Sequence, residues 1–526
     1  MPQPDFDRLV LFGDSLTDAG EIFRLTSEVL AIPFPLESAG YAGVLSNGPV
    51  YSQTLPDLLG VDSEVFAVAS AQAVGERPLW QVLGLDDPNP PFDGALVAPL
   101  ILPDTTADDL SFDVNLGAQV DRFLAEPIEG DTAASFLIGL NDVSRLDLED
   151  PGALFDAITL LNNVVESTRA AAQAVVDSGA ADTVILYSFP NAAFLPGAAD
   201  LDPVAVAALD VFVGLHEVAL RDLASDLEDD GADAMVVDLN ALTAEIDADM
   251  AAFGLEAKGP VLLGTGTDPQ IILPADPGDL PTLFFPEDPA VAGLDPAQVQ
   301  FFDFLHPTTA VHDVFAVYSA AAITRETHVL SEFTSIRLFD GDDHLILARG
   351  GSDFITLGGG DDIALGGTGN DTVFGNGDED LILGGSGRDD VRGGTGDDLL
   401  AGGPGRDRLT GGSDDDTMIG GTGDDRVDGR SGDDVFVWAP GDGDDTIIGG
   451  SGNDTLYLAE SAETAAALAD AESGRSFWEA FFGTWDLGDL GLSVSGIEKV
   501  RLFASLEEIP GGSDGALADA DLWGVV

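Results

Sequence analysis

The chain has 526 residues, which is too long for one ordinary hydrophobic core and predicts two or three structural units. Its 20 basic and 95 acidic residues give a formal net charge of −75, a field that repels phosphate backbones and excludes nucleic-acid binding. Hydrophobic residues make up 45% of the chain, enough for folded cores, and the absence of cysteine excludes disulfides, a thiol nucleophile and Cys-ligated metals.

The first eight residues, Met1 to Arg8, contain neither a basic segment nor an apolar one, so we expect no Sec signal peptide. Nowhere do about 18 apolar residues follow one another, so no helix is expected to span a membrane. A strand is predicted at Leu9–Phe12, and Gly13-Asp14-Ser15 follows it directly. A glycine at this place permits a sharp turn that lifts the Ser15 hydroxyl into the crevice where α/β proteins bind ligands. The pattern therefore favours a nucleophilic serine, with a helix N-cap as the alternative.

Two further strands are predicted at Ser135–Ile138 and Thr183–Tyr187, with a helix from Ala153 to Ser178 between them. This order is typical of an α/β fold with a parallel sheet. Straight after the first of these strands comes Gly139-Leu140-Asn141-Asp142. The Asn141 amide is suited to donate a hydrogen bond to an oxyanion, although a turn closed by local side-chain bonds explains the same residues.

One of the five histidines, His306, follows Asp303 by three residues in Asp303-Phe304-Leu305-His306. A carboxylate at this spacing can accept a hydrogen bond from imidazole Nδ1, which leaves Nε2 to take a serine proton. A pair that only stabilises a surface turn is the alternative.

Together, and in this order after the predicted strands, these motifs resemble the GDSL esterase/lipase family, also called SGNH hydrolases. The resemblance covers residues 7–325 and implies a three-layer α/β/α sandwich. It makes Ser15 the nucleophile, His306 the general base and acid, and Asp303 the partner that orients His306. Asn141 and the backbone N–H of Ser15 become oxyanion donors.

The family's remaining oxyanion donor is the backbone N–H of a glycine, and here the chain departs from the pattern. The nearest match, Val65-Phe66-Ala67-Val68-Ala69-Ser70-Ala71, contains no glycine. Because a backbone donor survives replacement of glycine, we expect Ala69 or Ser70 to serve. The resemblance implies a carboxylic-ester hydrolase that forms an acyl-enzyme and needs no catalytic cofactor. A phospholipase or lipid acyltransferase, and a non-catalytic cell-surface binding protein with a decayed hydrolase domain, are the alternatives.

Aspartates recur every nine residues in the second half of the chain. After a two-residue slip the period resumes for the last two members of the series: Asp353, Asp362, Asp371, Asp380, Asp389, Asp398, Asp407, Asp416, Asp425, Asp434, Asp445 and Asp454. Glycines precede each aspartate and an apolar residue stands two positions after it, which predicts an all-β parallel β-roll with tight turns. A flexible, acidic, glycine-rich tail is the alternative.

Stacked turns of such a roll bring carboxylates and carbonyls together in all-oxygen sites that suit Ca²⁺. Residues 339–457 carry 27 acidic residues and 7 arginines, so the segment should repel itself unless a cation binds. The unit resembles the repeats-in-toxin (RTX) nonapeptide family. The resemblance implies that these twelve aspartates hold structural Ca²⁺, and that the chain is secreted by a type I secretion apparatus.

The predicted organisation is a hydrolase domain over 1–328, a linker over 329–338, the β-roll over 339–457, and a cap over 458–526. The last region contains an aromatic cluster, Phe477 to Trp485, which we expect to close the open end of the roll rather than grip a lipid or polymer. The resemblance implies that it also carries the secretion signal. We expect an ester or lipid substrate.

Overall fold

The structure is a computed structural model, and it divides into two compact units. Met1–Thr243 with Glu256–Ile323 form the first unit, and Ala244–Leu255 with Thr324–Val526 form the second. The structure describes residues 4–14, 16–19, 21, 24–25, 49–68, 71–74, 113–125, 131–139, 142, 153–191, 194, 203–248, 250, 255, 270–272, 282–284, 300, 308–330, 335–338, 341–459, 461, 464–468, 485–503 and 509.

A five-stranded parallel sheet forms the centre of the first unit, in the order β2-β1-β3-β4-β5. Its strands are β1 (Arg8–Gly13), β2 (Asp62–Val65), β3 (Thr132–Leu137), β4 (Thr183–Tyr187) and β5 (Asp233–Val237). Strands β1, β3 and β4 are almost wholly buried, because helices cover both faces of the sheet. The predicted α/β fold with a parallel sheet is confirmed.

Helices pack on both faces of this sheet. They are α1 (Tyr51–Leu59), α2 (Leu116–Leu124), α3 (Ala153–Asp177), α4 (Pro203–Asp229), α5 (Leu239–Ala248) and α6 (Thr309–Thr324). Alternate residues of the strands, such as Phe12 and Leu186, join a core cluster with α2, α3 and α4. Tyr187, at the opposite parity, contacts Tyr51 of α1, so α1 lies on the other face. A short antiparallel pair, β6 (Gln270–Ile272) and β7 (Thr282–Phe284), completes the described elements of this unit.

The second unit is a parallel β-roll, as predicted, in which each coil of 18 residues contributes one strand to each of two nine-stranded sheets. One sheet consists of β8 (Glu326–Val329), β10 (His344–Leu347), β13 (Ile363–Leu365), β16 (Leu381–Leu383), β19 (Leu399–Ala401), β21 (Thr417–Ile419), β23 (Val435–Trp438), β25 (Thr455–Ala459) and β28 (Lys499–Phe503). The other consists of β9 (Ser335–Arg337), β12 (Phe354–Gly358), β15 (Thr372–Gly377), β18 (Asp390–Thr395), β20 (Arg408–Ser413), β22 (Arg426–Ser431), β24 (Thr446–Ser451), β26 (Trp485–Leu487) and β27 (Leu492–Ser495). Three two-residue strands, β11 (Gly350–Gly351), β14 (Thr368–Gly369) and β17 (Ser386–Gly387), pair in one line of turns.

The apolar residue two positions after each aspartate points into the roll. All twelve side chains are at most 3% exposed, from Ile355 at one end to Leu456 at the other. The core is therefore a stack of single residues from successive coils, which explains why the nine-residue period is so strict.

The sheets extend beyond the repeats in both directions. Strands β8 and β9 come from residues 326–337, before the first aspartate, and β26 to β28 come from residues 485–503. These outer strands keep apolar side chains such as Leu492 and Val494 in the core. Of the aromatic cluster, the described Trp485 is buried there, and its indole N–H donates to the carbonyl of Ile497 at 2.8 Å.

Candidate active site and calcium-binding turns

The six candidate catalytic residues lie outside the described residues: Ser15, Ala69, Ser70, Asn141, Asp303 and His306. Their roles therefore stay predictions. The nearest described residues in the chain show where each motif lies relative to the sheet.

The turn that carries Ser15 begins at Gly13, which ends β1 and pairs with Leu137 at the end of β3. A Cβ atom at Gly13 would stand 2.5 Å from the carbonyl oxygen of Leu137 and 2.6 Å from Oγ1 of Thr17. No side chain fits in this space, so the close approach of the two strand ends requires glycine.

Gln119 of α2 holds the backbone of Gly13 on both sides. The Gly13 N–H donates to Gln119 Oε1 at 2.9 Å, and Gln119 Nε2 donates to the Gly13 carbonyl at 2.8 Å. Nε2 also donates to the carbonyl of Val114 at 2.9 Å, and the Gln119 side chain is fully buried. The amide therefore fixes the peptide unit two residues before Ser15. Gln119 could not be predicted from the sequence, because one glutamine on a helix carries no signal of its own.

The residues that flank Ala69 and Ser70 are described, and Val68 lies against the same strand end. The N–H of Val68 donates to the Gly13 carbonyl at 3.2 Å, and the N–H of Ala71 donates back to the carbonyl of Val68 at 3.0 Å. Val68 and Ala71, on either side of the predicted oxyanion donors, are thus joined to each other next to the end of β1.

The Asn141 segment joins this group through Asp142, which is 4% exposed. The N–H of Asp142 donates to the carbonyl of Gly139 at 3.0 Å, and its carboxylate accepts the N–H of Ala73 at 2.8 Å. Gly139 has a φ of +117°, and a Cβ there would stand 2.7 Å from Val164. The loops after β2 and β3 therefore meet at the carboxyl edge of the sheet.

The described residues nearest to Asp303 and His306 are hydrogen-bonded to each other. The N–H of Thr308 donates to the carbonyl of Gln300 at 3.1 Å. In α6, the ring of His312 lies parallel to the Tyr51 ring with 6.4 Å between centroids. The Tyr51 hydroxyl is 3.0 Å from Oγ1 of Thr17. Tyr51 therefore links the helix that follows His306 to the turn that follows Ser15.

Tyr51 is suited to a structural role in this cluster. Complete burial raises the pKa of its hydroxyl well above the ordinary value, and the neighbouring Tyr187 raises it further. The hydroxyl therefore stays protonated and acts as a neutral hydrogen-bonding group. Ser52 supports the same turn by donating to the carbonyl of Thr17 at 2.7 Å.

In the roll, the repeat aspartates form two ladders. In each ladder the first carboxylate oxygen, Oδ1, accepts the backbone N–H of the aspartate one coil earlier. The distances run from 2.7 Å between Asp371 and Asp389 to 3.1 Å between Asp398 and Asp416. Where the period slips, the step from Asp425 to Asp445 spans 20 residues instead of 18.

The second oxygen, Oδ2, is buried without a hydrogen-bond donor in ten of the aspartates: Asp362, Asp371, Asp380, Asp389, Asp398, Asp407, Asp416, Asp425, Asp434 and Asp454. These oxygens point at the turn glycines. A Cβ at Gly375 would stand 2.1 Å from Oδ2 of Asp380, and one at Gly411 would stand 2.2 Å from Oδ2 of Asp416. A buried carboxylate oxygen that meets no donor is costly unless a cation neutralises it, so these residues fit Ca²⁺.

Burial has the same consequence for the protonation of these carboxylates. Desolvation is the main cause that raises the pKa of Asp380 and of Asp416 to about 9, with a smaller contribution from neighbouring aspartates. Desolvation likewise raises the pKa of Asp425 to about 8. In the part of the chain that the structure describes, no group of three or more His, Cys, Asp or Glu side chains could hold a metal. A Ca²⁺ bound in the turns would combine carboxylate and carbonyl oxygens as ligands.

Asp445 is an exception among the twelve aspartates. Its Oδ2 accepts the indole N–H of Trp438 at 2.8 Å, and Trp438 is itself buried. Trp438 lies at the start of the loop that contains the two-residue slip. The oxygen that would face a cation in the other coils is occupied by a protein donor here.

A third ladder consists of the aspartates that directly precede the buried ones. It was not predicted from the sequence. The N–H groups of Asp361, Asp415 and Asp433 donate to the carboxylates of Asp343, Asp397 and Asp415, respectively, at 2.7–2.8 Å. The signal was present in the sequence as repeated Asp-Asp pairs. The ladder places additional negative charge along the same edge of the roll.

Comparison with known protein families agrees with this architecture. The model described as GDSL-like Lipase/Acylhydrolase matches residues 9–318, which is more than half of the chain. The model described as RTX calcium-binding nonapeptide repeat (4 copies) matches four ranges, residues 339–373, 365–400, 401–436 and 441–460. No curated protein matches the chain. Among the described residues, no helix is both long and apolar enough to cross a membrane.

Proposed function

Because the chain belongs to the GDSL-like lipase/acylhydrolase family and carries RTX calcium-binding repeats, we propose that its first unit hydrolyses carboxylic esters through Ser15. The observation that carries the proposal is the convergence at one sheet edge. Described residues close in the chain to Ser15, to the Ala69–Ser70 pair and to Asn141 are hydrogen-bonded there. Val68 donates to Gly13, and Ala73 donates to Asp142. Tyr51 connects α6 to Thr17, in the turn that follows Ser15.

In the proposed reaction Oγ of Ser15 attacks the ester carbonyl carbon, and its proton passes to Nε2 of His306. Asp303 accepts the hydrogen bond from Nδ1 and keeps the imidazole in the required tautomer. The tetrahedral oxyanion is stabilised by Asn141 and by the backbone N–H groups of Ser15 and of Ala69 or Ser70. When the carbon–oxygen bond breaks, the alcohol leaves with the proton that His306 returns to it.

The second half of the cycle uses water in place of the alcohol. His306 takes a proton from water, the resulting hydroxide attacks the acyl carbon, and Ser15 regains its proton as the carboxylic acid is released. No step needs an oxidant, a reductant or a metal, so Ca²⁺ serves the roll alone in this proposal.

The test compares turnover of p-nitrophenyl butyrate by the wild-type chain and by Ser15→Ala, His306→Ala and Asp303→Asn. We expect losses of about 10³-fold or more for the first two. Ser225→Ala, an exposed serine on α4, is the matched control and should keep full activity. Equal turnover by wild type and Ser15→Ala would refute the proposal. Absence of turnover by the wild type on short-chain esters, triglycerides and phospholipids would favour the decayed, non-catalytic alternative.

We also propose that the chain is exported by a type I apparatus and that its roll folds outside the cell. The RTX repeats and the net charge of −20 over residues 339–457 support this, because the segment should stay unfolded where Ca²⁺ is scarce. Expression beside a type I exporter, with and without residues 458–526, tests the proposal. Equal export of both chains would contradict it.

A further inference from the structure

The first half of α4 carries an apolar stripe on the face that points away from the protein. Val211, Leu215 and Val218 are 56%, 43% and 57% exposed, and they follow one another at the i, i+4, i+7 spacing of one helix face. Gly214 lies in the same stripe, and a Cβ there would meet nothing within 4 Å. A helical glycine lowers stability by about 1 kcal/mol relative to alanine, and no packing among the described residues requires one here.

The opposite face of this half of the helix is buried against the candidate site. Phe212 and His216 both stack on Phe189, with ring centroids 6.1 Å and 3.7 Å apart. Phe189 follows β4 by two residues, and its ring would stand 3.0 Å from a Cβ at Gly139. The helix is thus apolar on both faces at this level, a pattern expected when something else covers the outer face.

The stripe is confined to the part of α4 that rises above the carboxyl edge of the sheet. The helix has 27 residues, or about 40 Å, whereas β5 has 5 residues, or about 17 Å. Both lie level at the amino edge, because α4 ends at Asp229 and β5 begins at Asp233. On the same outer face, the half of the helix beside the sheet carries the exposed polar residues Asp222, Ser225 and Asp226 instead of the apolar ones.

One more exposed apolar side chain occupies the equivalent part of the neighbouring helix. Ile158 is 42% exposed and lies six residues into α3, which also begins at the carboxyl edge and packs on α4. The four side chains are the large hydrophobics that are exposed in the described part of the chain, and all of them lie at the end of the unit that holds the candidate site.

The size and surroundings of the stripe distinguish between possible occupants. Together with Ile158, the stripe exposes an apolar area of roughly 300 Å², which is at the lower end of the range of functional surface patches. A stable dimer buries about 800 Å² of each partner, so the stripe is too small to hold a second copy of the chain by itself. Of the charged residues beside it, Asp210 and Glu217 are acidic, and the basic Arg221 is ion-paired with Glu217. A net charge of −75 repels anionic lipid.

We propose that this apolar stripe, formed by Val211, Gly214, Leu215 and Val218, docks the enzyme on the surface of aggregated, uncharged esters. The inference rests on the proposed function, and it names the physical form of the substrate. The stripe inserts its side chains among the acyl chains at the surface, as interfacial helices do, and holds the carboxyl edge of the sheet close to that surface.

The test uses the triple variant Val211→Ser/Leu215→Gln/Val218→Ser in the full chain with Ca²⁺. Binding is measured by flotation with triolein droplets coated with phosphatidylcholine, using versions that also carry Ser15→Ala. We expect the bound fraction to fall by about tenfold or more, because three apolar side chains no longer leave water. Asp222→Asn/Ser225→Asn, on the same face of the helix beside the sheet, is the control and should bind as the parent does.

Activity is measured in parallel on soluble p-nitrophenyl butyrate and on emulsified tributyrin, with Ser15 intact. We expect the triple variant to keep its turnover of the soluble ester within about twofold and to lose about tenfold on the emulsion. Unchanged binding and unchanged emulsion hydrolysis would overturn the inference while leaving the proposed function intact. If the chain with the unaltered stripe binds the droplets and the triple variant does not, but the wild type hydrolyses no ester, the docking inference is supported and the proposed function is refuted. A change in sedimentation from dimer to monomer in the variant would assign the stripe to self-association and would also overturn the inference.

Discussion

Replacement of Gln119 by methionine tests whether the clamp on Gly13 positions the nucleophile turn. Methionine has a similar length and no polar group, so the variant removes all three hydrogen bonds of the buried amide without opening a large cavity. The Gly13 carbonyl still accepts the N–H of Val68, but the Gly13 N–H loses the side-chain acceptor that it has in the wild type.

The magnitude follows from these contacts. An unsatisfied buried N–H costs about 1–3 kcal/mol, and each of the other two lost hydrogen bonds contributes about 0.5–1.5 kcal/mol. We therefore expect the free energy of unfolding of the first unit to fall by about 2–6 kcal/mol. Because the freed peptide unit lies two residues before Ser15, kcat should fall by at least about tenfold with little change in KM.

Urea unfolding followed by circular dichroism at 222 nm measures the stability of the first unit, because all six helices named above begin in it. Gln173→Met is the matched control. Gln173 is a half-buried residue of α3 with a solvent-exposed hydrogen bond to Asp177 at 2.9 Å, and its loss should change stability by less than about 0.5 kcal/mol. If Gln119→Met leaves both the stability and kcat at the wild-type values, the clamp does not position the turn.

Three further predictions concern the roll. In EGTA the full chain should lose its β-roll circular dichroism signal as the pH rises from about 5 to 9. The folded-state pKa values of Asp380 and Asp416 are raised to about 9, so the folded roll binds more protons than the unfolded chain in this window. A roll equally stable at both ends of the range would contradict this. Gly411→Ala, whose Cβ would stand 2.2 Å from Asp416 Oδ2, should raise the Ca²⁺ concentration needed for folding by about tenfold. Gly341→Ala, with open space around the new Cβ, is the control and should not change it. Equal midpoints of the two Ca²⁺ titrations would refute the role of Gly411. Asp445→Asn should leave the number of bound Ca²⁺ ions unchanged in equilibrium dialysis, because the indole N–H of Trp438 already donates to the second oxygen of Asp445. Asp425→Asn should lower that number, because the second oxygen of Asp425 has no such donor. Equal losses in the two variants would show that Ca²⁺ displaces the indole from Asp445.

The repeats could be predicted in detail because each coil needs the same three things, a tight turn, an inward apolar side chain and a carboxylate. The flanking strands at 326–337 and 485–503 escaped prediction, since they share the core but carry no repeat aspartates. Helix α4 escaped for a different reason: with Val211 outside and Phe212 inside, its first half shows no clear separation of apolar and polar faces.

At the candidate site, motif spacing identified the three segments but not the contacts that join them. The amide of Gln119 and the ring of Tyr51 each act through one precise geometry, and their residue types occur in many other places along a chain. A sequence alone cannot separate these two residues from others of their kind, because what makes them special is a neighbour more than 30 positions away.

The two ladders of buried aspartates share one direction. The N–H of a buried aspartate donates to the carboxylate of the coil that follows it, and one series ends where Glu498 accepts the N–H of Asp454 at 2.9 Å. The ladder of the preceding aspartates runs the other way, as where the N–H of Asp361 donates to Asp343. A growing polypeptide therefore leaves the N–H of its last buried aspartate without this acceptor until the next coil emerges, and the ladder that ends at Asp454 is closed only by a glutamate beyond the nonapeptides.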